Sequence, residues 1–336
     1  MKLSKKIENI ASDNSIDLSP ERQPDWISPM LATLTHDYFA DPEWIFERKL
    51  DGERALAFVK SGEVRLLSRN KKLLNKQYPE LPEALENSAE SDMILDGELV
   101  AFDGNVTSFS RLQDRMHVDA PSDKLLSEVP VYYYIFDIPR CAGYNLEKLP
   151  LRDRKKILLA ALDFEDPLRF TEHRNAESLG YFRDACDKGW EGIIAKDGRG
   201  EYVHSRSRLW LKFKCSRRQE FVVGGYTEPG GSRIGFGAIL IGYYENGELV
   251  FAGKVGTGFD NHTLERLGEK MSELEIEGSP FDRGEHDPRG VHWIEPKIVA
   301  EVGFTEWTDK GKLRHPRFLG TREDKPPREV HRERPK

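Results

Sequence analysis

The chain has little cysteine, no long apolar run and no surplus of positive charge. Its 336 residues include three cysteines, Cys141, Cys186 and Cys215. Far apart and odd in number, they offer neither a disulfide framework nor a zinc pattern, and they point to a reducing compartment. No segment is apolar for the length a membrane-spanning helix requires. The opening MKLSKKIENI is basic but has no apolar stretch behind it, which argues against a secretory signal. Lys and Arg number 51 against 58 Asp and Glu, a formal net charge of -7. Global charge therefore gives no pull towards nucleic acid, and any basic surface must be local. No repeat of solenoid period is present. What remains is a well-solvated chain, long enough for two domains.

The segment WIFERKLDGER, residues 44–54, organises the rest. A strand-like run leads into Lys49, Asp51-Gly52 reads as a hairpin turn, and a second strand follows over 55–59. The amine of Lys49 then sits at the edge of a turn on rigid flanks. A lysine is a nucleophile only when deprotonated, and neighbouring cations (Arg48, Arg54, a bound metal) favour the neutral amine. Alone, K-x-D-G-x-R is a weak signal, because most such lysines are merely solvated.

Along the chain, residues 1–25 are polar and read as a mobile arm with at most a short helix, and ordered structure begins at 27–34. A strand over 63–67 ends in Ser68-Arg69-Asn70. A helix starts near Pro79, and residues 91–102 repeat the strand, Asp-Gly, strand plan at Asp96-Gly97. The apolar run 131–138 carries Phe136-Asp137. Helices fit 151–162 and 176–188, and strands fit 189–196 and 209–214. Lys212 and Lys214 share one face of the last strand by the period of two. After Lys214 short strands alternate with Gly-rich turns, with one helix at 264–274, which suggests a small OB-type β-barrel. The expected division is 1–26 extension, 27–218 catalytic domain, 219–330 barrel and 331–336 tail, with the stretch from Arg322 onward exposed.

The turns and strand ends carry residue types suited to nucleotide chemistry. Arg54, Arg69, Lys196, Lys212 and Lys214 are cations for phosphate oxygens. Glu98 and Glu191 are carboxylates for ribose hydroxyls or a hard divalent metal. Phe136 could stack on a base. Each has a plainer reading as surface charge, turn residue or core. Their order decides: KLDGER at Lys49, SRN at Ser68, LDGELVAFD at Leu95, YIFDI at Tyr134, EGIIAKD at Glu191 and WLKFK at Trp210. This series closely resembles the ATP-dependent DNA ligases of the lysyl-nucleotidyl transferase superfamily, from about Ile27 to Val330. GKVGTGF at Gly253 and RHPRFLGTREDKPPREV at Arg314 are most similar to the ligase domain of bacterial end-joining ligases.

The resemblance implies an α+β fold, a nucleotidyltransferase domain of antiparallel sheets flanked by helices plus a C-terminal OB-fold barrel. It implies that Lys49 attacks the α-phosphate of ATP, that AMP passes to the 5′-phosphate of a break in duplex DNA, and that the 3′-hydroxyl seals it. Carried over by position, Glu47 contacts adenine, Phe136 stacks on it, Arg54 and Glu98 hold the ribose, and Arg69 binds the nick phosphate. Arg206, Lys212 and Lys214 address nucleotide phosphates. Glu191, with Glu98, serves Mg2+ or Mn2+. Arg322 and Lys325 orient pyrophosphate. A monomeric enzyme of the bacterial cytoplasm and nucleoid is implied, working in repair or end joining with Ku as a candidate partner and no membrane. The alternatives are an RNA ligase, an mRNA capping-type transferase, or a non-catalytic DNA-binding protein.

Overall fold

The computed structural model describes residues 3–215, 218–231, 233–287, 289–308 and 310–333. The chain divides into two compact units, the division falling after Cys215. The first unit runs α1 (Leu3–Asp13), β1 (Leu31–Leu34), β2 (Trp44–Arg48), β3 (Glu53–Lys60), β4 (Glu63–Ser68), α2 (Glu80–Ser88) and β5 (Met93–Val100). There follow β6 (Phe102–Asp103), β7 (Val106–Thr107), α3 (Phe109–Met116), α4 (Asp123–Glu128), β8 (Tyr132–Cys141), β9 (Tyr144–Asn145) and α5 (Leu151–Ala161). It ends with β10 (Leu168–Phe170), β11 (His173–Asn175), α6 (Ser178–Asp187), β12 (Gly192–Asp197) and β13 (Arg206–Lys214). No helix among the described residues is long and apolar enough to cross a membrane.

Two mainly antiparallel sheets form this unit. One has the order β10-β8-β5-β3-β4, with β9 on β8, and the other β1-β13-β12-β2-β11. Alternation along β3 explains the layering. Ala55, Ala57 and Val59 face a core shared with α1, α2, α3 and α5. Leu56 and Phe58 face the other way, into a second core with Ile94, Phe136, Tyr202 and Trp210. Because both faces are covered, β3 reads as nearly continuous apolar sequence. On the second sheet Phe46, Ile193, Ala195, Leu211 and Phe213 pack away from that core, with Tyr181 and Ala185 of α6. A cleft face of each sheet is thus turned towards the other.

Asp51-Gly52 is not a hairpin turn. β2 pairs with β11 and β12, whereas β3 pairs with β4 and β5, so residues 49–52 cross between sheets. Glycine is required at 52 for room rather than for positive φ, because a Cβ there would strike the Leu99 carbonyl. Asp96-Gly97 likewise lies inside the continuous strand β5, beside register shifts against β8. A Cβ at Gly97 would meet the Tyr133 ring and the Tyr134 carbonyl. In both places a close backbone approach produced a sequence that reads as a turn.

The N-terminal stretch is not a loose arm. Residues 1 and 2 lie outside the described residues, but α1 buries Ile7 completely and Ala11 almost so, and both belong to the main core. Nor are the cysteines unpaired: Cys186 and Cys215 form a disulfide, with Cα atoms 5.2 Å apart. β12 and β13 run antiparallel, which sets Cys215 beside Glu191, and the Trp190 N–H donates to the Ala185 carbonyl at 2.9 Å, which holds the end of α6, with Cys186, close to that point. Cys141 remains a buried free thiol. Closing a loop of 29 residues stabilises by about 2–4 kcal/mol. The unreduced protein, denatured, should expose one titratable thiol and the reduced protein three. Cys186→Ser should lower the melting temperature of the first unit measurably; an unchanged melting curve would show the bridge to be energetically idle.

The second unit comprises β14 (Arg218–Thr227), β15 (Ile239–Glu245), β16 (Glu248–Val255), α7 (Asn261–Ser272), β17 (Glu275–Ile276), β18 (Val291–Gly303), β19 (Glu306–Trp307), β20 (Leu313–Arg314) and β21 (Arg317–Thr321). Its main sheet is ordered β16-β15-β14-β18-β17, with β21 on β18. β18 serves two partners on one edge, β17 near Trp293 and β21 near Val302. The chain end is not simply exposed. Val330 is fully buried in this unit's core, and its carbonyl accepts from the Tyr244 N–H at 2.7 Å. Of the expected tail, 331–336, residues 334–336 lie outside the described residues.

Candidate active site

Register on the second sheet decides which side chains share the cleft face. Ile194 lies between Glu47 and Lys212, and Gly192 is opposite Lys214. The Lys49 N–H donates to the Gly192 carbonyl at 3.0 Å. Because directly paired residues point to the same side, Glu47, Lys49, Ile194, Lys212 and Lys214 stand on one face. Lys49 Nζ is in contact with Glu191 Oε2, the lysine 19% and the glutamate 5% exposed. Glu191 is held from its backbone, since its carbonyl accepts from the Cys215 N–H at 3.0 Å.

The facing sheet contributes Arg54 and Glu98, paired across β3 and β5. Ser68 pairs with Ala55, so the chain leaving β4 brings Arg69 to the same end of that sheet. Arg54 is anchored rather than loose. Its Nε and Nη2 donate to both oxygens of buried Asp96 at 2.6 Å, and Tyr202 Oη donates to Asp96 Oδ2 at 2.6 Å. Asp96, which looked like turn chemistry, is the anion that aims Arg54.

Deeper in the cleft lies a buried triad of which the sequence reading named Glu47 and Lys196 but not Lys155. Lys155 Nζ of α5 is 2.6 Å from Glu47 Oε1, and Lys196 Nζ is 2.6 Å from Glu47 Oε2. Burial alone raises a carboxyl pKa, but the two ammonium groups hold Glu47 below the ordinary carboxylate range. Burial pushes the Lys196 amine down to about 8 against the pull of Glu47. The Lys196 ammonium is poorly aligned for a hydrogen bond and faces the rings of Phe136 and Trp210 at 4.1 Å each. The Arg54 guanidinium also lies 4.4 Å from the Phe136 centroid. With Phe136 only 7% exposed, a base that stacks on it must displace one of its neighbours.

Two sequence assignments are spaced along the strands from Lys49. Lys196 is four residues along β12 from Gly192, about 13 Å at strand rise, and its ammonium lies against Glu47 and the rings of Phe136 and Trp210. Arg206 opens β13, eight residues from Lys214 and about 26 Å away by the same rise. It is exposed there and donates to the Ala32 carbonyl. Arg322 and Lys325 lie in the second unit with partners of their own. Arg322 Nε and Nη2 reach Asp324 at 2.9 and 2.8 Å, and Lys325 Nζ reaches Glu220 at 3.0 Å.

The neighbouring pair Asp137 and Arg154 was missed as well. Arg154 Nε and Nη2 donate to Asp137 Oδ1 and Oδ2 at 2.7 and 2.9 Å, both residues wholly buried. A signal existed. Leu151, Arg154, Lys155 and Leu158 occupy one buried face of α5, so two cations stand where the 3.6 period calls for apolar residues. Cations in those places need buried anions, and Asp137 and Glu47 supply them.

This arrangement sets a lysine amine against a carboxylate, on a sheet face that carries two further lysines. Comparison with known proteins shows the family. Residues 29–214 match the family described as ATP dependent DNA ligase domain, and residues 232–325 match the ATP dependent DNA ligase C terminal region. The multifunctional non-homologous end joining protein LigD of Pseudomonas aeruginosa is 38% identical over 320 residues, covering 93% of this chain and 37% of that protein. LigD of Mycobacterium tuberculosis (strain ATCC 25618 / H37Rv) is 36% identical over 317 residues, covering 92% of this chain and 40% of that one. The chain thus spans about two fifths of the length of these relatives. The solved mycobacterial DNA ligase D, complexed with ATP and MES, superposes with a TM-score of 0.67 at 34% identity, over 93% of this chain and 100% of that one. The fold is accordingly a ligase nucleotidyltransferase unit followed by an OB-fold unit, and the chain belongs to the ATP-dependent DNA ligase family.

Proposed function

We propose that this chain seals 5′-phosphate/3′-hydroxyl breaks in duplex DNA with ATP, through an AMP adduct on Lys49. The observation that carries the reading is Lys49 in contact with Glu191, on the sheet face that also presents Glu47, Lys212 and Lys214. In the first step the Lys49 nitrogen gives up a proton, forms a bond to the α-phosphorus, and pyrophosphate leaves with the electrons of the broken P–O bond. A 5′-phosphate oxygen then displaces the lysine, and the 3′-hydroxyl displaces AMP. Lys212 and Lys214 neutralise charge developing on the phosphorus oxygens, and the rigid strands hold the groups in line. Glu47 reads the base, Phe136 stacks on it, Arg54 and Glu98 hold the ribose, and Arg69 takes the nick phosphate.

Among the described residues no three His, Cys, Asp or Glu side chains gather to hold a metal. A hard cation needs only one or two carboxylates when phosphate oxygens complete its shell. Glu191, with Glu98 on the facing sheet, therefore fits Mg2+ or Mn2+ in the presence of the triphosphate. When bound, the cation would supply charge neutralisation on phosphate oxygens. The relatives' names support a role in end joining, with Ku as the partner to test and a monomer as the working form.

The test is incubation with α-labelled ATP or GTP and a divalent cation, then a challenge with nicked DNA, nicked RNA, or two duplex ends with and without Ku. Label from ATP that is discharged by nicked DNA is the expected result. Label from GTP, or discharge only by RNA, would point to a capping-type or RNA-joining transferase, and no label at all to a DNA-binding protein. Arg322 and Lys325 are proposed to act on pyrophosphate, exchanging Asp324 and Glu220 for it. Replacing both with Ala should cut adduct formation at least about a hundredfold, the scale of losing charge stabilisation at a transition state. Sealing of a pre-adenylylated nick should be largely spared. Equal loss in both steps would make these residues structural supports instead.

A further inference from the structure

We infer that Lys155 of α5 is a positioning residue for nucleotide choice: together with Lys196 it keeps Glu47 a buried anion and so selects adenine over guanine. The inference rests on the reading above that Glu47 meets the base. Lys155 lies outside every motif that carries the ligase resemblance. Its Nζ donates to Glu47 Oε1 at 2.6 Å and to the Thr171 carbonyl at 2.9 Å, and the ammonium sits 4.5 Å from the Phe170 ring centre. Lysine and glutamate are each only 2% exposed. Thr171, in the connection between β10 and β11, fixes the far side of the ammonium, so Lys155 approaches Glu47 from a set direction.

The chemistry of the two purines makes the charge state of Glu47 matter. Adenine presents an amino donor at C6, and guanine presents a carbonyl acceptor at the same position. An ionised carboxylate only accepts, whereas a protonated one can also donate. A buried carboxyl left alone tends to take up a proton, and would then serve either base. With a cation on each oxygen, Glu47 stays acceptor-only. Each oxygen retains a second lone-pair direction for the adenine amine and meets the guanine carbonyl with repulsion. A polar site built this way discriminates strongly, because the wrong partner leaves buried groups unpaired.

The test compares nucleotide labelling of the wild-type protein with Lys155→Met, Lys155→Gln and Lys155→Arg. Labelling kcat and KM are measured for ATP and GTP, and folding is checked by the thermal unfolding curve. In folded Lys155→Met the ATP-to-GTP ratio of kcat/KM should fall at least about tenfold, chiefly through KM for ATP, as expected when a contact common to ground and transition states is lost. Lys155→Arg, which keeps the charge, should retain most of the preference. Should Lys155→Met fail to fold, Lys155→Gln removes the charge and keeps a donor for Thr171, and the same fall is expected there. An unchanged ratio in either folded neutral variant overturns the inference. A wild-type protein that labels with neither nucleotide overturns the ligase reading instead.

Discussion

Lys49→Ala should form no covalent AMP adduct from ATP and seal no nick, a loss of at least about ten-thousandfold, the scale seen when an enzyme's nucleophile is deleted. Lys49→Arg should fare no better. A guanidinium stays protonated and has no lone pair to attack phosphorus. The same variants should still seal a nick already carrying 5′-AMP, because the lysine has no part left to play once AMP is on DNA. This split separates loss of the nucleophile from loss of the fold. The adduct on the wild-type protein should resist alkali and yield to acid, as a phosphorus–nitrogen bond does. Any label that survives in Lys49→Ala would move the nucleophile elsewhere.

Asp137→Ala should cost about 3–5 kcal/mol of stability, the penalty for leaving one member of a buried ion pair behind. Arg154 is wholly buried, and its other hydrogen bonds go to carbonyls, those of Leu149 at 2.5 Å and Gly200 at 3.0 Å. Those accept hydrogen bonds but carry no countercharge. In a unit of this size the loss should lower the melting temperature by about 6–20 °C, followed by calorimetry. Asp137 also follows Phe136 directly, so ATP binding should weaken at temperatures where the variant is still folded. Replacing both residues with apolar ones should cost less than either single change. A single variant within about 1 kcal/mol of wild type, the range of exposed pairs, would mean that the pair adds nothing beyond a surface bridge. The pair also sets a pH dependence. Burial raises the carboxyl pKa but Arg154 overrides it, so Asp137 titrates below its unfolded value. Its contribution is therefore present above the ordinary carboxyl range and is lost as pH falls below it.

The ordered motifs were legible because they are local. KLDGER, LDGELVAFD, EGIIAKD and WLKFK each lie on or beside one strand, and strands declare themselves by composition and by the period of two. Lys212 and Lys214 were placed on one face by that period alone, and the register agrees. The helix read at 151–162 is α5, and the strand read at 209–214 lies within β13. Misreadings cluster where glycine admits a neighbouring backbone. Asp51-Gly52 and Asp96-Gly97 have the composition of turns, yet one crosses between sheets and the other lies within a strand. A sequence shows that a residue lacks a side chain; it does not show whether φ or a neighbour demanded it.

By itself, then, the sequence determined the family and the change of texture after Lys214, since each rests on residues close together in the chain. Only the tertiary structure decided which distant charges meet. Glu47 and Lys155 are 108 residues apart, Lys49 and Glu191 142 apart, and the bridged Cys186 and Cys215 29 apart. Lys196 shows the physical reason most plainly. Its sequence context offers a cation for phosphate, and packing sets that ammonium against Glu47 and the rings of Phe136 and Trp210, where burial lowers its pKa to about 8. Side-chain chemistry is written in the sequence, whereas the dielectric and the partners that tune it come from packing between segments remote in the chain.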